Sequence, residues 1–258
     1  MVRADELRRF CAAVFAHFGV PAADAEIVAD NLVEADLRGV ESHGVHLVPL
    51  YVARLKGGHV RADAKVEVVR DEGSMVLLDG GLGFGQVAGN KVLLAKKRGD
   101  PTIPEGWAND DQGRPTTDTA AASTRHLQWF GGYKGFGIAF MVDALAGVLT
   151  GSSFGRIEIS DAQPQGADRV VKGYLFVALD IAHFMAVDEF RRRTDALIRD
   201  VRDARPAAGV ERIYVPGERE HEIRARRLRD GIPVSEAVSR ELDGFAEELG
   251  IEPVAFEG

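Results

Sequence analysis

The chain has 258 residues, of which 45% are hydrophobic and 28% charged, as in an ordinary globular protein. Its formal net charge of -8 disfavours nucleic acid and anionic membrane surfaces as partners, so we expect neither. The single cysteine, Cys11, excludes an intrachain disulfide and suits a reducing compartment. Since no signal sequence and no bilayer-length apolar run is recognisable, we expect a cytoplasmic protein.

The first sixty residues carry helical patterns. Apolar residues recur there at spacings of three and four, at Leu7, Phe10, Val14, Phe15 and Phe18. The spacing predicts a helix from about Asp5 to Gly19. A second helix is expected to open at residues 21–24 and to bury Ile27, Val28, Leu32 and Ala35, and a third spans about 46–55. We predict a helical subdomain over 1–60 and a second domain over 61–258.

The pattern beyond residue 60 mixes strands and helices. Two strands are predicted at 66–69 and 74–79, followed by a helix at 84–97 and a long surface loop at 100–119. An apolar helix is expected at 135–149, and the apolar run at 174–179 suits a buried strand. Further helices are predicted at 188–202, 218–229 and 234–249. The fold class is therefore α/β in the broad sense, a mixed α+β fold with a helical N-terminal part.

Residues 41–45 read Glu-Ser-His-Gly-Val and lie at the break between two predicted helices. A histidine titrates near neutral pH, so His43 can give or take a proton during a reaction. The neighbouring hydroxyl of Ser42 can orient the imidazole or extend a proton relay. Ser42 and His43 are therefore the candidate catalytic residues.

Three glycine-containing segments are candidate phosphate sites. Residues 83–88 resemble a dinucleotide fingerprint but lack the acidic strand end expected about 20 residues on, which favours an ordinary turn. At 131–137, glycines and Lys134 precede an apolar helix, and a phosphate site and a flexible loop remain equally open. At 215–219, a solvated charged turn is favoured over a cofactor-phosphate site. No spacing of His, Cys or carboxylates predicts a metal site.

Eight segments together resemble the malate/L-lactate dehydrogenase type 2 family, whose relatives include ureidoglycolate, sulfolactate and piperideine-2-carboxylate oxidoreductases. The segments occur in family order and cover nearly the whole chain. They are residues 41–45, 49–55, 83–89, 103–108, 113–118, 131–137, 145–151 and 215–219.

The resemblance implies a non-Rossmann fold like that of L-sulfolactate dehydrogenase, and usually an intertwined homodimer. It implies hydride transfer between NAD or NADP and a small 2-hydroxy or 2-oxo acid. Ser42 and His43 match the catalytic pair, with His43 as proton donor to the carbonyl oxygen. The residues matched to cofactor contacts are Tyr133, Lys134, Gly135, Pro216, Gly217, Glu218 and Arg219.

Two departures from the family pattern are visible. Leu47 stands where the family usually has an arginine that clamps the substrate carboxylate. In addition, Gly89 runs directly into Asn90, so a central segment with part of the sheet and the third relay residue, an aspartate, is missing. The truncated sheet predicts exposed apolar surface unless a partner covers it. The alternative is therefore a catalytically inactive, internally deleted member that acts only as a dimerising or non-enzymatic protein.

Overall fold

The computed structural model describes residues 1–65, 67–71, 76–79, 101–103, 108–122, 132–155 and 173–256. Within them lie seven α-helices and four short strands. The helices are α1 (Ala4–His17), α2 (Ala22–Leu37), α3 (Val48–Lys56), α4 (Gly132–Asp143), α5 (Val187–Asp203), α6 (Glu218–Asp230) and α7 (Glu236–Leu249). The strands are β1 (Glu67–Asp71), β2 (Val76–Asp79), β3 (Ala108–Asn109) and β4 (Pro115–Thr116).

The three predicted N-terminal helices are confirmed, with ends within a few residues of those expected. In α1, the apolar stripe is fully buried at Leu7, Phe10, Val14 and Phe15. Asp5 and Glu6 lie in its first turn, where carboxylates interact favourably with the helix dipole. After α1 the chain reverses at Gly19, whose φ of 84° is a left-handed conformation that suits glycine.

The core around α1 is built from both ends of the chain. Val2 exchanges two backbone hydrogen bonds with Ile232, at 3.0 and 2.8 Å. Apolar residues following Ile232 join the same core, at Val238, Leu242, Ala246 and Val254. Cys11 lies inside it, and burial raises the pKa of its thiol, with a further contribution from nearby Asp36. The N-terminal helices therefore depend on the C-terminal helices for their burial.

The described strands form two small antiparallel sheets, β1 with β2 and β3 with β4. The β1–β2 pair confirms the two strands predicted after residue 65, and its register shifts between Val68 and Arg70. The predicted loop at 100–119 contains the short β3–β4 hairpin, and Ile103, Ala108 and Ala122 form a small buried cluster. The helix predicted at 84–97 and the glycine-rich turn at 83–88 lie outside the described residues.

Two predictions of burial are wrong. Ile27 is 60% exposed, because the small residues Ala25 and Ala29 form the buried face of α2 at that level. The run at 174–179 is not a buried strand. Residues 173–180 have no regular secondary structure, and Phe176 is 89% exposed. A strand needs a neighbour to pair its backbone groups, and among the described residues this segment has no such ladder.

The apolar helix α4 is present but almost entirely exposed. It begins at Gly132 and passes at Ala144–Val148 into a short π-helical turn. The exposed apolar side chains of these two elements are Tyr133, Phe136, Ile138, Phe140, Met141, Val142, Leu145 and Val148. The confirmed helix α5 also has no fully buried residue. The middle of the chain therefore exposes apolar surface on α4, and Val68 and Val69 of β1 are also exposed, at 63% and 61%.

Candidate active site

The candidate catalytic pair lies on a tight connection between α2 and α3. The connection consists of two one-turn 3₁₀ helices, Glu41–His43 and Val45–Leu47, separated by Gly44. Ser42 Oγ lies 2.9 Å from His43 Nδ1, which is hydrogen-bonding distance. Ser42 is buried at 5% exposure, while the His43 ring is half-buried. The structure therefore brings together the two residues that the sequence analysis singled out.

A serine hydroxyl suits an imidazole that changes protonation state. When the ring is protonated, Nδ1–H donates to Ser42 Oγ and Nε2–H can donate to another acceptor. After Nε2 gives up its proton, the Nδ1–H bond to the hydroxyl can persist. The pair can therefore hold one ring orientation through a proton transfer, which is the property needed in a general acid.

Asp36, which the sequence analysis did not single out, stabilises this turn through its carboxylate. It lies in the last turn of α2 and is only 4% exposed. Its Oδ2 accepts a hydrogen bond from the backbone N–H of Val45 at 2.8 Å. A Cβ at Gly44 would lie 1.9 Å from Asp36 Oδ1, so only glycine fits there. The carboxylate and the glycine together fix the backbone that follows His43.

Arg227 of α6 contacts the same turn from the other side. One guanidinium nitrogen donates to the backbone carbonyl oxygen of Asp36, and Nη2 lies 2.5 Å from Oε1 of Glu41. The Arg227 side chain is 12% exposed, so this ion pair is largely shielded from water. No local sequence signal indicates it, since 186 residues separate Arg227 from Glu41.

Leu47, which replaces the expected arginine, points into the core. It is 2% exposed and belongs to the same cluster as Leu37 and Val48. An arginine at this position would place a charge among these apolar side chains at a cost of several kcal/mol (~3–5) unless the turn rearranged. Position 47 therefore cannot accept an arginine as a substrate clamp unless the turn rearranges.

The first group of predicted cofactor residues lies at the start of α4. Tyr133 is 82% exposed, Lys134 is exposed and Gly135 is buried. Gly132 has a φ of 59° and open space where a Cβ would be. The N-terminus of a helix of this length together with an exposed lysine is chemically suited to an anion such as a phosphate.

The second group lies at the start of α6 and is partly used for internal contacts. Pro216, Gly217 and Arg219 are exposed. Glu218 accepts from the Val215 N–H at 3.1 Å and forms ion pairs with Arg202 and Arg212. Burial raises the pKa of Glu218, but these partners outweigh it and hold that pKa below its ordinary value. The Glu218 carboxylate thus stabilises its own loop.

The described contacts do not by themselves assemble one site from these three groups. α1 contacts α2 extensively, and smaller contacts join α1 to α7 and α2 to α6, whereas the main described contacts of α4 are with the π-helical turn that continues it. The Ser42–His43 turn is therefore well defined, and its relation to Lys134 rests on the resemblance.

Solved structures define the class of protein to which this fold belongs. The sulfolactate dehydrogenase of Methanocaldococcus jannaschii matches with a TM-score of 0.82 and 26% sequence identity, over 97% of either chain. The fold is accordingly that of a sulfolactate- and malate-dehydrogenase-like oxidoreductase, with a truncated central region. This agrees with the fold class expected from the sequence.

The chain belongs to the malate/L-lactate dehydrogenase family, whose model matches residues 2–93 and 86–243. It is 27% identical to the malate dehydrogenase of Pyrococcus horikoshii, over 96% of this chain and 95% of that protein. It is 28% identical to the (2R)-3-sulfolactate dehydrogenase (NADP(+)) of Chromohalobacter salexigens, over 95% of this chain and 98% of that protein.

The same matches confirm the missing central segment. The two matched parts of the family model meet at residues 86–93, where the sequence analysis located the junction. The alignment with the Pyrococcus protein extends over 346 positions, which exceeds the 258 residues of this chain. Residues of the relative between the two halves therefore have no counterpart here.

Neither a bilayer-spanning helix nor a metal cluster occurs in the part of the chain that the structure describes. No helix there is long and apolar enough to cross a bilayer. Nor does that part contain three or more His, Cys, Asp or Glu side chains grouped so that they could hold a metal ion.

Proposed function

We propose that the protein is an oxidoreductase that transfers a hydride between NAD or NADP and a small 2-hydroxy or 2-oxo acid, of the malate or lactate type. His43 is the proton donor and Ser42 orients its ring. The observation that carries the proposal is the 2.9 Å contact between Ser42 Oγ and His43 Nδ1, on a turn held by Asp36 and Arg227.

The residues of the turn account for the proton transfer. A nicotinamide cofactor, when bound, would supply the hydride that adds to the 2-oxo carbon. The electron pair of the carbonyl bond moves to the oxygen, which takes the proton from Nε2 of His43. Ser42 keeps its hydrogen bond to Nδ1, so the ring is neutral but still oriented when the 2-hydroxy acid leaves. In the oxidative direction, neutral His43 takes the same proton back.

Lys134 and Tyr133 are the residues best suited to hold the cofactor. The exposed ammonium and the N-terminus of α4 would contact phosphate, and the exposed phenol ring offers a surface for stacking. Gly135 lets the backbone approach closely. Pro216, Gly217 and Arg219 would contact the nucleotide, while Glu218 would act indirectly by holding their loop.

The test is a calorimetric titration of the purified protein with NADH and with NADPH, followed by turnover assays with a panel of 2-oxo acids. We expect Lys134→Met to weaken binding about tenfold, since one charged contact is lost. Lys56→Met is the matched control, because Lys56 pairs with Glu248 instead. We expect His43→Gln to bind cofactor normally but to lose about 10²–10⁴ in kcat. If neither NADH nor NADPH binds, the proposal is overturned.

A second candidate is an inactive family member. Two observations favour it, namely the missing central segment and the burial of Leu47 at the position of the substrate clamp. In that case neither cofactor binds while the protein remains folded by circular dichroism. Replacing Leu47 by arginine does not discriminate between the two candidates, since the change would disrupt the core.

We also propose that two copies associate through the exposed apolar surface of α4 and residues 174–179, in the cytoplasm. Side chains such as Phe140 and Phe176 remain largely exposed to solvent, at 65% and 89%. Light scattering coupled to size-exclusion chromatography should give a dimer mass at micromolar concentration. A monomer with Met141→Lys and a dimer with the wild-type sequence would support this surface, and a wild-type monomer would contradict it.

A further inference from the structure

The side chain of Arg227 makes two bonds that close the ends of one short segment. Its guanidinium donates to the carbonyl oxygen of Asp36, at the end of α2, and pairs with Glu41, where the 3₁₀ turn begins. The chain between these two contacts includes the reversal at Gly39, whose φ is 74°. Ile223 of α6 packs against that glycine, with its Cδ1 3.0 Å from where a Cβ would be.

These contacts determine where His43 sits. Glu41 and His43 are the first and last residues of one helical turn, so fixing the Glu41 side chain limits rotation of the turn. Asp36 fixes the other end through the N–H of Val45. A guanidinium presents its donors in a rigid fork and can hold two acceptors at once, whereas an ammonium is a single point charge.

We propose that Arg227 is a positioning residue for the Ser42–His43 pair, acting through Glu41 and the Asp36 carbonyl. The proposal rests on the proposed function for its catalytic meaning, but its geometric content stands on these contacts alone. Loss of the Arg227 side chain frees the turn, and the hydrogen bond between Ser42 and His43 is then no longer held.

Arg224 provides a matched control on the same helix. It lies one turn before Arg227 and also joins α6 to α2, with Nη2 2.9 Å from Oε1 of Glu34 and Nε 2.9 Å from Oε2. It makes no described contact with residues 41–45. Arg224→Met and Arg227→Met therefore both remove a link between the same two helices, but only the second removes a link to the turn.

The experiment measures the ring nitrogens of His43 by NMR, in full-length protein with ¹⁵N-labelled histidine. The chain has seven histidines, and His43→Gln identifies the signals that belong to His43. Ser42→Ala gives the reference spectrum for a lost Nδ1 hydrogen bond. The readout reports the hydrogen-bonded state of one ring and needs neither cofactor nor turnover.

We expect Arg227→Met to move the His43 nitrogen signals toward those of Ser42→Ala, and Arg224→Met to leave them at the wild-type positions. Arg227→Lys should lie between, because it restores the charge but not the fork. Where turnover is measurable, Arg227→Met should lower kcat at least tenfold while KM changes less than threefold, and Arg224→Met should leave both near wild type.

The proposal is overturned if Arg227→Met keeps wild-type His43 signals, or if Arg224→Met moves them equally, since the effect would then be general helix packing. If Arg227→Met does not fold, Glu41→Ala decides instead. That change removes the carboxylate that accepts from Arg227 and leaves Arg227 bonded to the Asp36 carbonyl, so unchanged His43 signals would again overturn the proposal. Failure to bind NADH or NADPH would overturn the proposed function but not this result.

Discussion

Phe10 and Phe140 both lie on apolar helices, yet one is completely buried and the other is 65% exposed. Phe10 belongs to the region formed by α1–α3 with α6 and α7, where residues from both ends of the chain share a core. Phe140 belongs to α4, which packs mainly on the turn that follows it. An apolar sequence pattern thus predicts a helix in both regions, but burial of that helix requires other elements that cover it.

The family comparison explains why the two regions differ. Relatives carry a segment between the two matched parts that is absent here, whereas the matched parts themselves extend from residue 2 to residue 243. The terminal region has kept its packing partners, and the middle region lacks residues that its relatives possess. A local deletion can therefore leave one region intact and another uncovered within a single chain.

The largest effect should come from Phe10→Ala, which leaves a cavity in the terminal core. We expect a loss of about 3–5 kcal/mol in the free energy of unfolding, measured by urea titration. The matched change Phe140→Ala should alter it by less than about 0.5 kcal/mol when the protein is dilute enough to be monomeric, because the side chain is then exposed. A destabilisation at Phe140 that grows with protein concentration would mean that a second copy covers α4.

Gly44→Ala should cost roughly 1–3 kcal/mol, because the added Cβ overlaps the Asp36 carboxylate and the turn must shift. The same variant should lose turnover and move the His43 ring signals. Adding Asp36→Ala removes the overlap, so the double variant should lose less stability than the two single losses combined. If the stability losses of the two single variants simply add in the double variant, the Cβ at position 44 does not overlap the Asp36 carboxylate.

Glu34 links three helices of the terminal region, accepting hydrogen bonds from Arg8 at 3.1 Å and from Arg224 at 2.9 Å. The bond from Arg224 holds the pKa of Glu34 below its ordinary value, although burial opposes this. Its stabilisation is therefore complete above the ordinary carboxylate range near pH ~4.3 and is lost as the pH falls through the lowered pKa. Glu34→Gln should cost about 1–2 kcal/mol at pH 7 and flatten this acid-dependent loss.

The exposed pair Lys56–Glu248 offers the control for that measurement. Glu248→Gln should change stability by less than about 0.5 kcal/mol and leave the acid dependence intact. If Glu34→Gln and Glu248→Gln change stability equally, Glu34 does not stabilise the contact between the helices.

The smallest effect is expected at Gly137, in the exposed helix α4. A Cβ there meets nothing within 4 Å, so Gly137→Ala should stabilise the helix by about 0.5–1 kcal/mol through propensity alone. Thermal unfolding followed by circular dichroism measures this gain. A loss instead would indicate a partner surface lying close to the glycine.

Spacing in the sequence was sufficient to predict the N-terminal helices and the Ser42–His43 pair, because both depend on residues that are close along the chain. It could not indicate that Ile27 would face solvent, since the buried face of α2 at that level consists of the small residues Ala25 and Ala29. It failed for residues 174–179, where a β-rich composition does not supply a pairing partner. Asp36 and Arg227 were missed because the residues around a charged residue at a helix end do not indicate that it is buried.

The link between Arg227 and Glu41 also has a consequence for the protein as it is being made. A ribosome releases residue 41 long before residue 227, because the two partners are 186 positions apart in the sequence. The Ser42–His43 turn therefore emerges early but lacks its contact with Arg227 until nearly the entire polypeptide has left the exit tunnel. Chains that terminate before α6 would contain both candidate catalytic residues, Ser42 and His43, but would lack the Arg227 contacts to Asp36 and Glu41.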